Sequence, residues 1–90
     1  MEGRLKKVLS KGFGFIDSNG IDFFFHYSEY NGDWEDLLKK FVSLEEGHYI
    51  VVEFRNDLEA PQGPRALNVK IKGIQGKQEK VTKITRAASN

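Results

Sequence analysis

Phe13, Phe15, Phe24 and His26 stand at alternate positions of two short apolar runs, and alternate positions of a β-strand share one face. In Lys11-Gly12-Phe13-Gly14-Phe15-Ile16, Phe13 and Phe15 fall on one side, with Gly14 and Ile16 on the other. In Asp22-Phe23-Phe24-Phe25-His26-Tyr27, Phe24 and His26 can join the first pair, which leaves Phe23 and Phe25 to the interior beside Ile16. A domain this small does not need rings on both faces of two adjacent strands to fill its core. One face is therefore predicted to be open, and a contiguous exposed aromatic surface marks a binding site. Every nucleobase offers a π-face, and each base stacked on an aromatic side chain contributes roughly 1–3 kcal/mol without demanding a sequence. Unpaired bases are the expected ligand. Lys7 and Lys11, with Arg4 and Lys6 nearby, are expected at the phosphates, while Gly12 and Gly14 admit close approach of a ligand or a neighbouring backbone.

Other chemistry finds little support. His26 and His48 are the only imidazoles and there is no cysteine, so no zinc set is expected. His26 and Asp22 lack a nucleophile to serve, so neither catalysis, a cofactor nor a small-molecule substrate is expected. No apolar run approaches the roughly 20 residues of a membrane helix, and the cations of Met1 to Leu9 are not followed by an apolar signal core. A cytoplasmic monomer is the expectation. The net charge of +1 conceals an asymmetry: residues 1–71 hold nine Lys and Arg against twelve Asp and Glu, whereas 72–90 hold Lys72, Lys77, Lys80, Lys83 and Arg86 against Glu79 alone. An acidic body thus carries a basic tail, expected to be flexible and to add nonspecific electrostatic affinity through counterion release. The acidic body leaves a second reading open, a barrel that binds a protein or peptide.

The elements that would position these residues are short. Arg4 to Leu9, Phe13 to Asp17 and Phe23 to Tyr27 read as three strands, the last two joined by Asn19-Gly20, which tolerates the positive φ angles of a tight hairpin. The period then changes: Asp33 can cap a helix in the stretch Asn31 to Lys40, with Trp34, Leu37, Leu38 and Phe41 at helical spacing. Trp34 is expected to pack that helix on the sheet rather than to bind. His48 to Arg55 and Ala66 to Ile71 read as strands four and five, and from Lys72 strand character is lost, with a weak helical stripe at Val81, Ile84 and Ala88. The expected fold is all-β: a five-stranded antiparallel OB-fold barrel over residues 1–71, one short inserted helix between strands three and four, and a basic C-terminal tail, 72–90.

The two aromatic runs resemble the two ribonucleoprotein motifs of cold-shock domains, in that family's order and at a hairpin's distance. Ser43-Leu44-Glu45-Glu46-Gly47 resembles the family's entry into strand four, and Gly63-Pro64-Arg65-Ala66-Leu67-Asn68-Val69 its signature at strand five. An RNA-recognition motif would carry the two aromatic motifs in the opposite order, separated by a helix. The resemblance implies that Phe13, Phe15, Phe24, His26 and Tyr27 stack bases of a single-stranded RNA or DNA, with Phe41 at the matching aromatic position before strand four. Lys7 stands where the family usually has a stacking Trp, which implies weaker binding or a shifted footprint. The Asn31 to Lys40 stretch is longer than the family's connection.

Overall fold

A computed structural model describes residues 1–76. Five strands, β1 (Glu2–Leu9), β2 (Phe13–Ser18), β3 (Ile21–His26), β4 (His48–Asp57) and β5 (Arg65–Gly76), close into a barrel in the order β1-β2-β3-β5-β4. One helix, α1 (Trp34–Val42), and a single 3-10 turn over Tyr27–Glu29 lie between β3 and β4. No helix among the described residues is long and apolar enough to cross a membrane.

Local chemistry explains most of these boundaries. Asn19 and Gly20 take φ values of 55° and 84°, so the β2–β3 hairpin closes in two residues and pairs Phe15 with Phe24 and Phe13 with His26. Asp33 caps α1 as expected, its Oδ1 accepting from the Glu35 N–H at 3.2 Å. The helix begins three residues after Asn31 and runs on through Phe41 and Val42 to Ser43, whose N–H donates to the Lys39 carbonyl. The interior is filled by Leu5, Val8, Ile16, Phe23, Phe25, Leu37, Ile50, Val52, Phe54, Ala66 and Val69. Of each strand's alternating pair, the predicted inward set is the buried one: Ile16, Phe23 and Phe25 have no exposed surface.

The structure departs from simple alternation in β1. Leu5 pairs with Ile16 but Lys7 pairs with Phe15, so Lys6 is an extra residue, a β-bulge. Leu5 and Val8 are both buried with two exposed lysines between them, and the bulge is what lets both reach the core. Closure differs from an all-antiparallel scheme at one seam, since β3 and β5 run parallel and meet at Phe24 and Arg65, where the Phe24 N–H donates to the Pro64 carbonyl at 3.1 Å.

β5 also runs five residues past the expected end at Ile71. Its extension pairs with His48 to Val51 of β4, and a register shift at Lys72 breaks the apolar alternation that would have announced it. Lys72 therefore belongs to a strand, and its ammonium is hydrogen-bonded to the Glu2 carboxylate, which holds its pKa above the ordinary lysine range. The stripe at Val81, Ile84 and Ala88 and the four remaining tail cations lie outside the described residues.

Candidate nucleic-acid interface

The register of β1, β2, β3 and β5 builds two parallel rows on the outer face of the barrel. One row runs Lys7, Phe15, Phe24, Arg65, and the other Leu9, Phe13, His26. Phe13 and Phe24 stack with centroids 5.5 Å apart and an interplanar angle of 27°. Phe15 meets both edge-on, at 6.1 Å from Phe13 and 5.8 Å from Phe24. All three rings are half-buried: each packs on its neighbours and leaves surface to solvent. The pleat makes this arrangement unavoidable, because Ile16, Phe23 and Phe25 occupy the inward positions of the same strands.

At the far end, β3 gives way to the 3-10 turn, and His26 and Tyr27 lie ring against ring at 4.3 Å. Tyr27 is more than half exposed, while its N–H donates to the Gly12 carbonyl and so ties the turn to the β1–β2 loop. His26 Nδ1 accepts from the Ser28 N–H at 3.2 Å and lies 2.9 Å from the Ser28 hydroxyl. That contact assigns the proton of the neutral ring to Nε2, leaving an N–H donor free for a ligand.

The cations divide into engaged and free groups. Lys6 is paired with Asp22 at 2.9 Å, and hydrogen bonding to that carboxylate, then its charge, raises the Lys6 pKa above the ordinary range. The Arg4 guanidinium lies 4.1 Å above the Tyr49 ring. Lys7 and Lys11 are exposed, and neither makes an ion pair among the described residues. Lys7 also borders a shallow depression of about 170 Å³ shared with Lys6, Phe15 and Asp22. A wider concavity of about 520 Å³, bordered by Met1, Glu2, Glu53 and Arg55, contains none of the rings of the two rows.

Of the eight residues singled out in the sequence, the structure brings together Lys7, Phe13, Phe15, Phe24, His26 and Tyr27, with Lys11 in the adjoining β1–β2 turn. Phe41 lies on a different element, α1. It sits near the end of α1, partly buried against the core, and none of the close ring contacts connects it to the rows. Arg65 was missed. It begins β5 at the parallel seam, and its guanidinium carbon lies over the Phe24 ring at 5.3 Å. The topology held a signal for it, since an OB order sets the start of strand five beside strand three.

Trp34 is half-buried at the start of α1, in edge or tilted contact with Phe25, Tyr27 and Tyr30, and its Nε1–H donates to the Leu9 carbonyl at 3.0 Å. Burial in the same cluster pushes the Tyr30 phenol above its usual pKa. Trp34 therefore pins the inserted helix to the β1–β2 turn. Replacing it with Phe removes the donor and keeps most of the ring, and should lower stability by about 1 kcal/mol while leaving oligonucleotide affinity unchanged. In the unaltered protein, Trp34 emission should change only modestly at saturation. Strong quenching that follows the binding isotherm would show instead that the helix closes over the ligand.

Among the described residues, no group of three His, Cys, Asp or Glu side chains stands where it could hold a metal ion. What the two rows offer is a set of π-faces with cations at the margin. A family model described as the 'Cold-shock' DNA-binding domain matches residues 1–72 of the chain. No curated protein matches it.

Proposed function

The chain belongs to the cold-shock domain family of nucleic-acid-binding domains, and we propose that it binds single-stranded RNA or DNA by stacking successive bases on Phe13, Phe15, Phe24, His26 and Tyr27. The observation that carries this reading is the contact among Phe13, Phe15 and Phe24 on the outside of a barrel whose interior is already filled by other rings. A ring that packs only on its neighbours in the free protein gains a second face of contact when a base covers it. Lys7 and Lys11 take the phosphates, as point charges that neutralise the backbone and carry no sequence information. Each such contact steepens the log–log salt dependence of binding by about 0.7 for a single strand. The protein acts as a cytoplasmic monomer, and by holding bases away from their partners it serves as a nucleic-acid chaperone or regulator.

Single strands should be strongly preferred to duplexes, because rings fixed on a sheet reach base faces only after the bases have been unstacked and unpaired. Titrating the protein with a hairpin stem and with its unpaired sequence, at matched salt, checks this. Equal affinity for the two would remove stacking as the mode of binding. Failure to bind either would favour a protein or peptide partner for the same face.

A further inference from the structure

Three observations set Arg65 apart from the other cations near the rings. Lys7 and Lys11 stand out in solvent, but Arg65 is half-buried and its guanidinium lies over Phe24, a central ring of the platform. Its backbone is held there by the seam, where Phe24 pairs with Arg65 and the Phe24 N–H bonds the Pro64 carbonyl. Its Nε is the one fully buried side-chain nitrogen or oxygen without a hydrogen-bond partner among the described residues. An unpaired buried donor is unfavourable, and native structures leave few of them unless a ligand or a function accounts for the group.

We propose that Arg65 reads the base that stacks on Phe24, and that it favours guanine or cytosine there. The proposal rests on the stacking function above and specifies its base preference. In the free protein the guanidinium covers the Phe24 ring. When a base takes that ring, the guanidinium moves from the ring's face to the base's edge, and Nε with the neighbouring Nη can donate two parallel hydrogen bonds. Such a fork needs two adjacent acceptors. Guanine supplies them as O6 and N7 in the pairing most often seen for arginine, and cytosine as O2 and N3. Adenine sets a donor beside its acceptor on each accessible edge, and thymine or uracil places an N–H between its two carbonyls. A phosphate is the less suitable acceptor, because Lys7 and Lys11 are exposed and, among the described residues, unpaired for that role, whereas the Arg65 guanidinium lies over a ring where a base would stack.

The test uses the full chain and a short oligothymidine into which a single guanine, cytosine or adenine is placed at each position in turn. At one position guanine and cytosine should bind about tenfold more tightly than thymine, with adenine close to thymine. Arg65→Lys keeps the charge but loses the fork, and should abolish that preference, so that guanine and cytosine bind no more tightly than thymine at that position. Arg65→Gln, with thermal unfolding measured on both variants, guards against a loss that merely reflects misfolding, and should also lose the joint guanine and cytosine preference. The proposal is overturned if the unaltered protein binds all four bases equally at every position, or if Arg65→Lys retains the preference. It is also overturned if Arg65→Gln weakens every oligonucleotide alike and lowers the salt slope by about 0.7, since Arg65 would then be a phosphate contact. If the unaltered protein binds no single strand at all, it is the stacking function that fails.

Discussion

Replacing Phe24 or Phe15 with alanine should weaken binding of a short single-stranded oligonucleotide by about 1–3 kcal/mol, which is roughly 5- to 150-fold in Kd. Each ring is only half-buried on the outer face, so the stacking of a base is lost with it in the complex. The free protein loses stability as well. Phe24 forfeits its contacts with Phe13 at 5.5 Å and Phe15 at 5.8 Å, and aromatic pairs of this kind contribute about 0.5–1.5 kcal/mol each beyond the area they bury. A drop of several degrees in Tm is therefore expected, with the fold intact. Phe24→Ala also uncovers Arg65, whose guanidinium lies over that ring, whereas Phe15→Ala leaves the Arg65 contact in place. The two single substitutions should thus weaken binding to a similar extent but differ in base preference. The double variant should fall short of the sum, because adjoining rings share a ligand and are not independent. Isothermal titration of the folded variants measures these effects. Unchanged affinity in both would show that the outer rings are packing alone.

Much of this surface was legible in the sequence because β2 and β3 obey period two without interruption. Asn19-Gly20 fixes the hairpin register, and once Phe15 is opposite Phe24 the faces of all the neighbouring residues follow. The features that escaped depend on contacts between segments far apart in the chain. The bulge at Lys6 left only a trace, the Leu5 to Val8 spacing of three, and its consequence for Lys7 emerges only when β1 is laid against β2. The end of β5 was hidden because residues past Ile71 owe their strand conformation to the ladder with His48 to Val51 rather than to their own pattern. Arg65 was missed because its place beside Phe24 is a product of barrel closure, and no local motif announces the one parallel seam. The packing of Phe41 follows its local pattern. Helical spacing put it on the stripe with Trp34, Leu37 and Leu38, and that stripe is the face α1 turns to the core.

The converse experiment, on the inward side of the same hairpin, should affect stability and not binding. Phe25 has no exposed surface and packs against Trp34 with centroids 5.6 Å apart. Truncating a buried Phe to Ala costs about 3–5 kcal/mol through lost transfer energy and the cavity left behind, against a total of about 5–15 kcal/mol for a typical domain. Phe25→Ala should therefore unfold at much lower denaturant and leave a barrel that is barely folded near body temperature. Gly14 tests the same contact from the opposite strand. A Cβ there would stand 2.5 Å from the Lys7 carbonyl oxygen and 2.8 Å from Phe25 Cε1, so Gly14→Ala should cost about 1–3 kcal/mol by overpacking. The two clashes differ in kind. Shortening Phe25 to Leu relieves the ring contact, but the carbonyl belongs to β1, next to the Lys6 bulge, and moves only if the β1–β2 pairing moves with it. Gly14→Ala should accordingly remain destabilising in a Phe25→Leu background. Denaturant titrations of the two single variants and the double one provide the stability cycle. In Phe25→Ala, affinity per folded molecule should be preserved, because Phe13, Phe15 and Phe24 are untouched on the other face. Lost affinity at an unchanged unfolding midpoint in Phe25→Ala would mean that the inward and outward rings of the hairpin are reversed.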